Sequence, residues 1–182
     1  IFIPLTVPKA TIVINYSADA AYNPSGYLSM DVLKGILDLV YTGKVREEEG
    51  GTYGVSLNAG SQKRPVEKAT LLIAFECDPE RASELKNIIY SELEAIAKNG
   101  PRQVDLDKTV SNLLKTREEA IQHNSYWANA VSSYYLNGFD INDSRNFADI
   151  LNKLTVKKMK KVTRKFLSKA DHLELVFLPE KK

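Results

Sequence analysis

Leu71-Leu72-Ile73-Ala74-Phe75 is the stretch that most narrows what this chain can fold into, because five apolar residues follow one another between polar turns. The run is far short of the roughly 20 residues that cross a bilayer. Apolar side chains on both faces place it instead as an interior strand of a sheet. It lies in a strand predicted over Glu67–Phe75, paired as a hairpin with Thr52–Ala59 through Gly60-Ser61-Gln62-Lys63-Arg64-Pro65. Lys9–Tyr16 alternates, with Ala10, Ile12, Ile14 and Tyr16 on one face and Thr11, Val13 and Asn15 on the other. Leu173–Leu178 is a last strand, stopped by Pro179.

Helices fill the gaps. After Asn23-Pro24-Ser25-Gly26, Leu28, Val32, Ile36 and Val40 recur every four residues, with Leu33 and Leu37 beside them and Gly43 as the expected stop. Asp78-Pro79 opens a second helix with the stripe Ala82, Leu85, Ile88, Ile89, Leu93 and Ile96, closed by Asn99-Gly100-Pro101. A third carries Leu106, Val110, Leu113, Leu114 and Ile121, bends near Asn124-Ser125, and resumes through Tyr126-Trp127 and Tyr134-Tyr135 to Gly138. Short helices follow over Ser144–Leu151 and after the cap Thr155, the latter turning Val156, Met159, Val162 and Phe166 inward. A hairpin with clustered helices defines an α+β class: a mainly antiparallel sheet with helices packed on one face. The 182 residues fit one domain, and no internal repeat or low-complexity segment interrupts them.

Composition removes several function classes. With 25 Lys and Arg against 23 Asp and Glu, net charge gives no argument for nucleic acid. One cysteine, Cys77, precludes an intrachain disulfide and reads as a buried, inert thiol. The two histidines, His123 and His172, have no partner at metal-ligand spacing and read as surface residues. H-x-x-E-H, H-E-x-x-H, G-x-S-x-G, a Walker loop and a dinucleotide fingerprint are all absent. The chain opens at Ile1, and Ile1–Pro8 has no signal-peptide character, so it reads as a segment of something longer.

The informative segment runs from Leu39 to Val55, through Arg46-Glu47-Glu48-Glu49-Gly50-Gly51-Thr52-Tyr53. Paired glycines let backbone come close to another chain. An Arg fork and a phenol donor flanking that turn suit a carbonyl oxygen, or the oxyanion formed from it. Gly50, Gly51 and Thr52 would then contact the bound backbone.

R-E-E-E-G-G-T-Y-G-V resembles a segment in the carboxy-terminal domains of the insulinase/pitrilysin-type zinc metallopeptidases, the inverzincins. Their Arg precedes a Tyr by seven positions, as Arg46 precedes Tyr53. The likeness extends along nearly the whole chain: F-E-C-D-P-E-R after the hairpin, N-G-P between helices, then Y-W and Y-Y. It is greatest to bacterial zinc proteases of this group. The resemblance implies one half of a clam-shell around a peptide-binding chamber. Zinc would be held by the other half, in the same chain or a partner subunit, with a Glu there as general base. Tyr53 would donate to the oxyanion and Arg46 would hold a carbonyl on the leaving-group side. The resemblance also implies the bacterial envelope or periplasm more than the cytoplasm. Lacking the zinc motif, this chain is either the substrate-side domain of an active peptidase, or a structural or assembly half of an inactive relative.

Plainer readings exist for the same residues. Tyr53 shares a strand face with Val55 and Leu57, as a core tyrosine would, and Arg46 suits the negative end of a helix dipole. Glu47, Glu48 and Glu49 read as solvated or paired carboxylates. Lys157–Lys165 reads as the outer face of an amphipathic helix, not a nucleic-acid patch. Trp127 is expected in the core, while Tyr126, Tyr134 and Tyr135 are open between core and chamber wall. The chain alone is expected to bind no stoichiometric zinc and to cleave no peptide; one tight zinc per chain by elemental analysis would overturn this.

Overall fold

The computed structural model describes residues 8–48, 54–138 and 144–179, with the side chains of 46–48, 144 and 145 left out. Its main elements are β1 (Ala10–Asp19), α1 (Pro24–Tyr41), β2 (Val55–Gln62), β3 (Lys68–Cys77), α2 (Ala82–Asn99), α3 (Gln103–Ala120), α4 (Asn124–Asn137), α5 (Ser144–Asn152), α6 (Val156–Leu167) and β4 (Asp171–Phe177). The strands form one antiparallel sheet in the order β2-β3-β1-β4.

Register follows from the period-two pattern. Ile12 lies opposite Phe75, and Ile14 opposite Ile73. Ala10, Ile12, Ile14, Leu71, Ile73 and Phe75 therefore share one buried face under the helices. A one-residue slip would turn all of them to the other side. Full burial of each such Ile or Leu contributes about 1.5–3 kcal/mol. The opposite face is open, as expected of a sheet with helices on one face. β3 is interior, as its apolar run implies, yet Leu72 is 37% exposed there, and Leu173 and Leu175 of β4 are exposed beside it. Among the described residues nothing covers that face, so the run is apolar on both sides but buried on one.

Helix starts use local capping. The Asn23 side chain accepts from the Gly26 N–H at 2.9 Å, with Pro24 at the first helical position. Asp78 accepts from the Glu80 N–H at 2.9 Å and opens a 3-10 turn, Pro79–Arg81, ahead of α2. Thr155 accepts from the Lys158 N–H at the start of α6. Within α6, Met159, Thr163 and Phe166 face inward and the basic residues outward, as the amphipathic reading requires.

Three sequence expectations are corrected. Gly43 does not stop the first helix, which continues as a π-helical segment over Thr42–Glu48. The continuation buries Val45 completely, one turn beyond buried Tyr41, and this packing outweighs the freedom of the glycine. Ile121 leaves the α3 stripe, since it is the C-cap and 39% exposed. Trp127 is not core: it is 56% exposed, and its indole N–H donates to the Ile121 carbonyl at 2.9 Å. Its anchor is that hydrogen bond across the α3–α4 break, and the small Ala130 is the buried residue of α4. Tyr134 and Tyr135, left open by sequence, are also exposed.

Gly100 ends α2 with φ +89°, and its N–H donates to the Ile96 carbonyl at 2.9 Å. A Cβ there would lie 2.6 Å from Val156 Cγ1 and 3.1 Å from the Val156 carbonyl oxygen, so both conformation and space demand glycine. Gly100→Ala is expected to cost at least about 1–3 kcal/mol of unfolding free energy. Denaturant melts check this, and an unchanged midpoint would refute it.

Candidate functional site

The segment singled out by sequence joins α1 to β2. At its near end, Tyr41 is buried and its hydroxyl donates to the Ile89 carbonyl of α2 at 3.1 Å. Burial pushes the Tyr41 phenol far above its ordinary range, so it stays a neutral donor. Val45, fully buried in the π-helical segment, fixes the backbone immediately before Arg46. At the far end the chain enters β2 at Val55, opposite Phe75 of β3. Arg46 thus lies on the π-helical segment, while Glu49, Gly50, Gly51, Thr52 and Tyr53 lie outside the described residues.

A groove of about 680 Å³ adjoins both ends of this segment, between α1, α3 and β2. Asp31 and Asp38 of α1, Val55 and Leu57 of β2, and Lys108 and Asn112 of α3 are among its walls. It runs beside β2, an edge strand whose outer backbone groups have no strand partner among the described residues. Such an edge next to a groove can take an extended peptide through main-chain hydrogen bonds, with alternate side chains entering the groove. The helices that form it approach closely at Gly35, where a Cβ would lie 2.5 Å from Thr109 Cγ2.

Electrostatics are uneven here. Burial pushes the Asp31 carboxyl up to about 6, opposed by nearby Lys34. Burial, then the charge of Asp31, pushes the Tyr27 phenol one turn earlier to about 12. Sequence reading missed Asp31. Its available signal was an acidic residue between Met30 and Val32, flush against the apolar stripe of α1.

A second cluster ties the other edge of the sheet to α2. Lys86 donates to Glu174 at 2.7 Å, the Tyr90 hydroxyl donates to the other oxygen of Glu174, and His172 Nε2 lies 3.0 Å from that hydroxyl. Lys86, then Tyr90, hold the Glu174 carboxyl below its ordinary value. His172 is exposed, as expected, but stacks on Tyr16 with ring centroids 4.7 Å apart. The cluster is internally satisfied. Cys77 is buried, and desolvation raises its thiol pKa. Among the described residues no group of His, Cys, Asp and Glu gathers in a way that could hold a metal ion, so the donor set of a zinc site is not found there. No helix among them is long and apolar enough to cross a membrane.

Residues 1–113 match the family described as Peptidase M16 inactive domain. The chain belongs to that family of zinc-protease domains. A zinc protease PQQL-like protein of Arabidopsis thaliana is 31% identical over 97 residues, 50% of this chain and 10% of the relative. Among solved structures, the periplasmic protease PqqL from Escherichia coli superposes with a TM-score of 0.81 at 20% identity, covering 97% of this chain and 20% of that one. The peptidase M16 inactive domain from Pseudomonas fluorescens gives 0.80 at 17% identity, over 98% of this chain and 43% of that one. The chain thus spans a tenth of the curated relative and a fifth of PqqL. These likenesses agree with the α+β half-domain architecture expected from sequence.

The raised Asp31 carboxyl makes a signed prediction. The folded state holds its proton more tightly than the unfolded chain, so it binds more protons from about pH 4 to about pH 6. Stability from this group is therefore full below about pH 4 and lost as pH rises through about 6. Asp31→Asn is expected to raise unfolding free energy by about 1–3 kcal/mol near pH 7.5 relative to the parent, with the gain disappearing below about pH 4. Urea titrations across pH measure it. A gain that does not vary with pH would reject the assignment.

Proposed function

We propose that this chain is the non-zinc, substrate-binding domain of a zinc-dependent endopeptidase. Membership of the peptidase M16 inactive-domain family carries the reading. In it, Tyr53 donates to the oxyanion that forms when water attacks the scissile carbonyl, and Arg46 holds a substrate carbonyl on the leaving-group side. Gly50, Gly51 and Thr52 let the substrate backbone approach. Zinc, the reaction's Lewis acid, would be held by a different domain, in the same chain or a partner subunit. The substrate is a peptide or unfolded protein segment, bound largely through its backbone by strand addition.

Several observations support this reading. The Arg46–Tyr53 segment departs from a helix end anchored by Tyr41 and Val45 and enters an edge strand beside a groove. Donors that stabilise a transition state are effective when held in place beforehand, and a segment fixed at both ends serves that need. One structural relative, the ferredoxin protease FusC, is in complex with Arabidopsis ferredoxin, which supports a polypeptide substrate. PqqL is periplasmic, which supports an envelope location for the parent protein.

The test is Tyr53→Phe in the zinc-loaded parent protein. The phenol goes while the ring stays, so kcat for peptide cleavage is expected to fall about a hundredfold or more with KM nearly unchanged. Equal activity would return Tyr53 to the sheet core. A parent with no zinc-dependent activity would favour the structural or assembly half of an inactive relative.

A further inference from the structure

Helix α6 and its flanks carry the most uneven charge in the chain. From Lys153 to Lys169, seventeen residues hold seven lysines, Arg164 and no carboxylate, whereas the rest of the chain holds 17 cations against 23 carboxylates. Lys157, Lys161, Arg164 and Lys165 share the side of α6 opposite buried Met159, Thr163 and Phe166, and all four are exposed. Lys153, Lys158 and Lys169 are exposed beside them. Among the described residues no ion pair joins any of these cations to a carboxylate. Solubility is served by interspersed charges of both signs. One sign gathered on one face instead turns the field of the molecule toward a negative partner.

The residue types narrow that partner. Arg binds carboxylates and phosphates through a rigid fork, whereas Lys is a hydrated point charge with no preferred geometry. Seven lysines to one arginine therefore suit diffuse negative charge more than carboxylates docked one by one. Phe166 is the one aromatic of α6 and is buried, so bases would find no stacking platform on this helix. A hollow of about 350 Å³ also opens beside the basic face, between α6 and the start of α1. Ala18, Met30, Ala69, Val162 and Phe166 give it apolar walls, and Lys165 and Lys169 line it with Asp19, two cations to one carboxylate. Such a hollow next to free lysines fits a molecule with an anionic head and an apolar tail. A nucleic acid or a run of acidic side chains makes no use of it.

We propose that the outward face of α6 docks on an anionic lipid surface, its lysines meeting phosphate headgroups while an acyl chain enters the hollow beside Lys165 and Lys169. Because Met159 and Phe166 face the protein core, the helix does not insert, and the contact is mainly electrostatic and weakened by salt. The surface is remote from the Arg46–Tyr53 segment. That segment enters the sheet near Ile12 and Phe75, six residues from Ala18 along β1, roughly 20 Å. The proposal therefore stands whether or not Arg46 and Tyr53 act in peptide hydrolysis.

Sedimentation with sucrose-loaded vesicles tests it. Vesicles containing phosphatidylglycerol are expected to carry this chain down, and vesicles of phosphatidylcholine alone to leave it in solution. A lysine near an anionic headgroup surface is worth about fivefold in affinity. Lys157→Gln, Lys161→Gln and Lys165→Gln together are thus expected to weaken binding about a hundredfold with the thermal melt unchanged. Lys34→Gln, Lys108→Gln and Lys115→Gln remove the same charge from other exposed positions and should weaken it only a few-fold. No sedimentation with phosphatidylglycerol, or equal loss in the two triple variants, would overturn the proposal. So would tighter binding of duplex DNA or polyglutamate than of vesicles at matched ionic strength. Soluble dioctanoyl phosphatidylglycerol should displace the chain from vesicles, and glycerophosphoglycerol, the headgroup without its tails, should not. Displacement by glycerophosphoglycerol or inorganic phosphate would reduce the face to one for small anions and also overturn it.

Discussion

The rest of the molecule depends on the burial of one face of a four-stranded sheet. Ile12, Ile14, Leu71, Ile73 and Phe75 pack beneath Leu33, Ile36 and Leu37 of α1 and Leu85 and Ile89 of α2. Because strand side chains alternate, that contact fixes the register of β1 against β3 and, through β3, of β2. It also decides which strands are left at the edges. With β3 and β1 committed to the interior, β2 stands at the margin next to α1 and α3, where the larger groove opens.

The same packing sets the boundary conditions for the segment carrying Arg46 and Tyr53. Tyr41 spends its one donor on the Ile89 carbonyl, which locks the end of α1 to α2. Val45, fully buried one turn later, extends the helix in π form and so widens its turn. π-helical turns are rare and are found frequently at functional sites. The half-buried Asp31 carboxyl beside the groove is a cost at neutral pH that the core does not need. Costs of that sort gather where a surface serves binding rather than stability.

Much of this was legible in the sequence because the signals were redundant. Asn23, Asp78 and Thr155 each cap a helix whose apolar stripe independently marks its start, and both indicators agree with the observed elements. The misreadings share a cause: a local signal was overridden by a tertiary contact. Gly43 carries the usual sign of a helix end, yet Val45 has a place in the core that only a continued helix reaches. Trp127 carries the usual sign of a core residue, yet it sits at the α3–α4 break, where its indole N–H bonds the Ile121 carbonyl. Arg46 and Tyr53 became visible only through their spacing in a known pattern, since neither residue alone differs from a helix-end cation or a strand tyrosine. Asp31 was missed because a carboxylate on a helix is ordinarily solvated, whereas burial takes much of the water from this one.

The contrast between α6 and α4 shows why apolar content alone misplaced Trp127. In α6 the division is binary: Met159, Thr163 and Phe166 are buried, and lysines and arginines fill the outside. Such a helix meets α2 and its neighbours on one side and water on the other. In α4 the buried residue is Ala130, while Trp127, Val131, Tyr134, Tyr135 and Leu136 are all more than half exposed. Large apolar residues held outward around a small inward one are a poor arrangement for a helix that ends at water. Tyr126 leans instead toward Arg117, a cation whose Nη1 finds no acceptor. An apolar ridge that nothing among the described residues covers is costly to a domain exposed to water. The position of Trp127 thus follows from the α3–α4 break, where a hydrogen bond to the Ile121 carbonyl holds the indole outside the core.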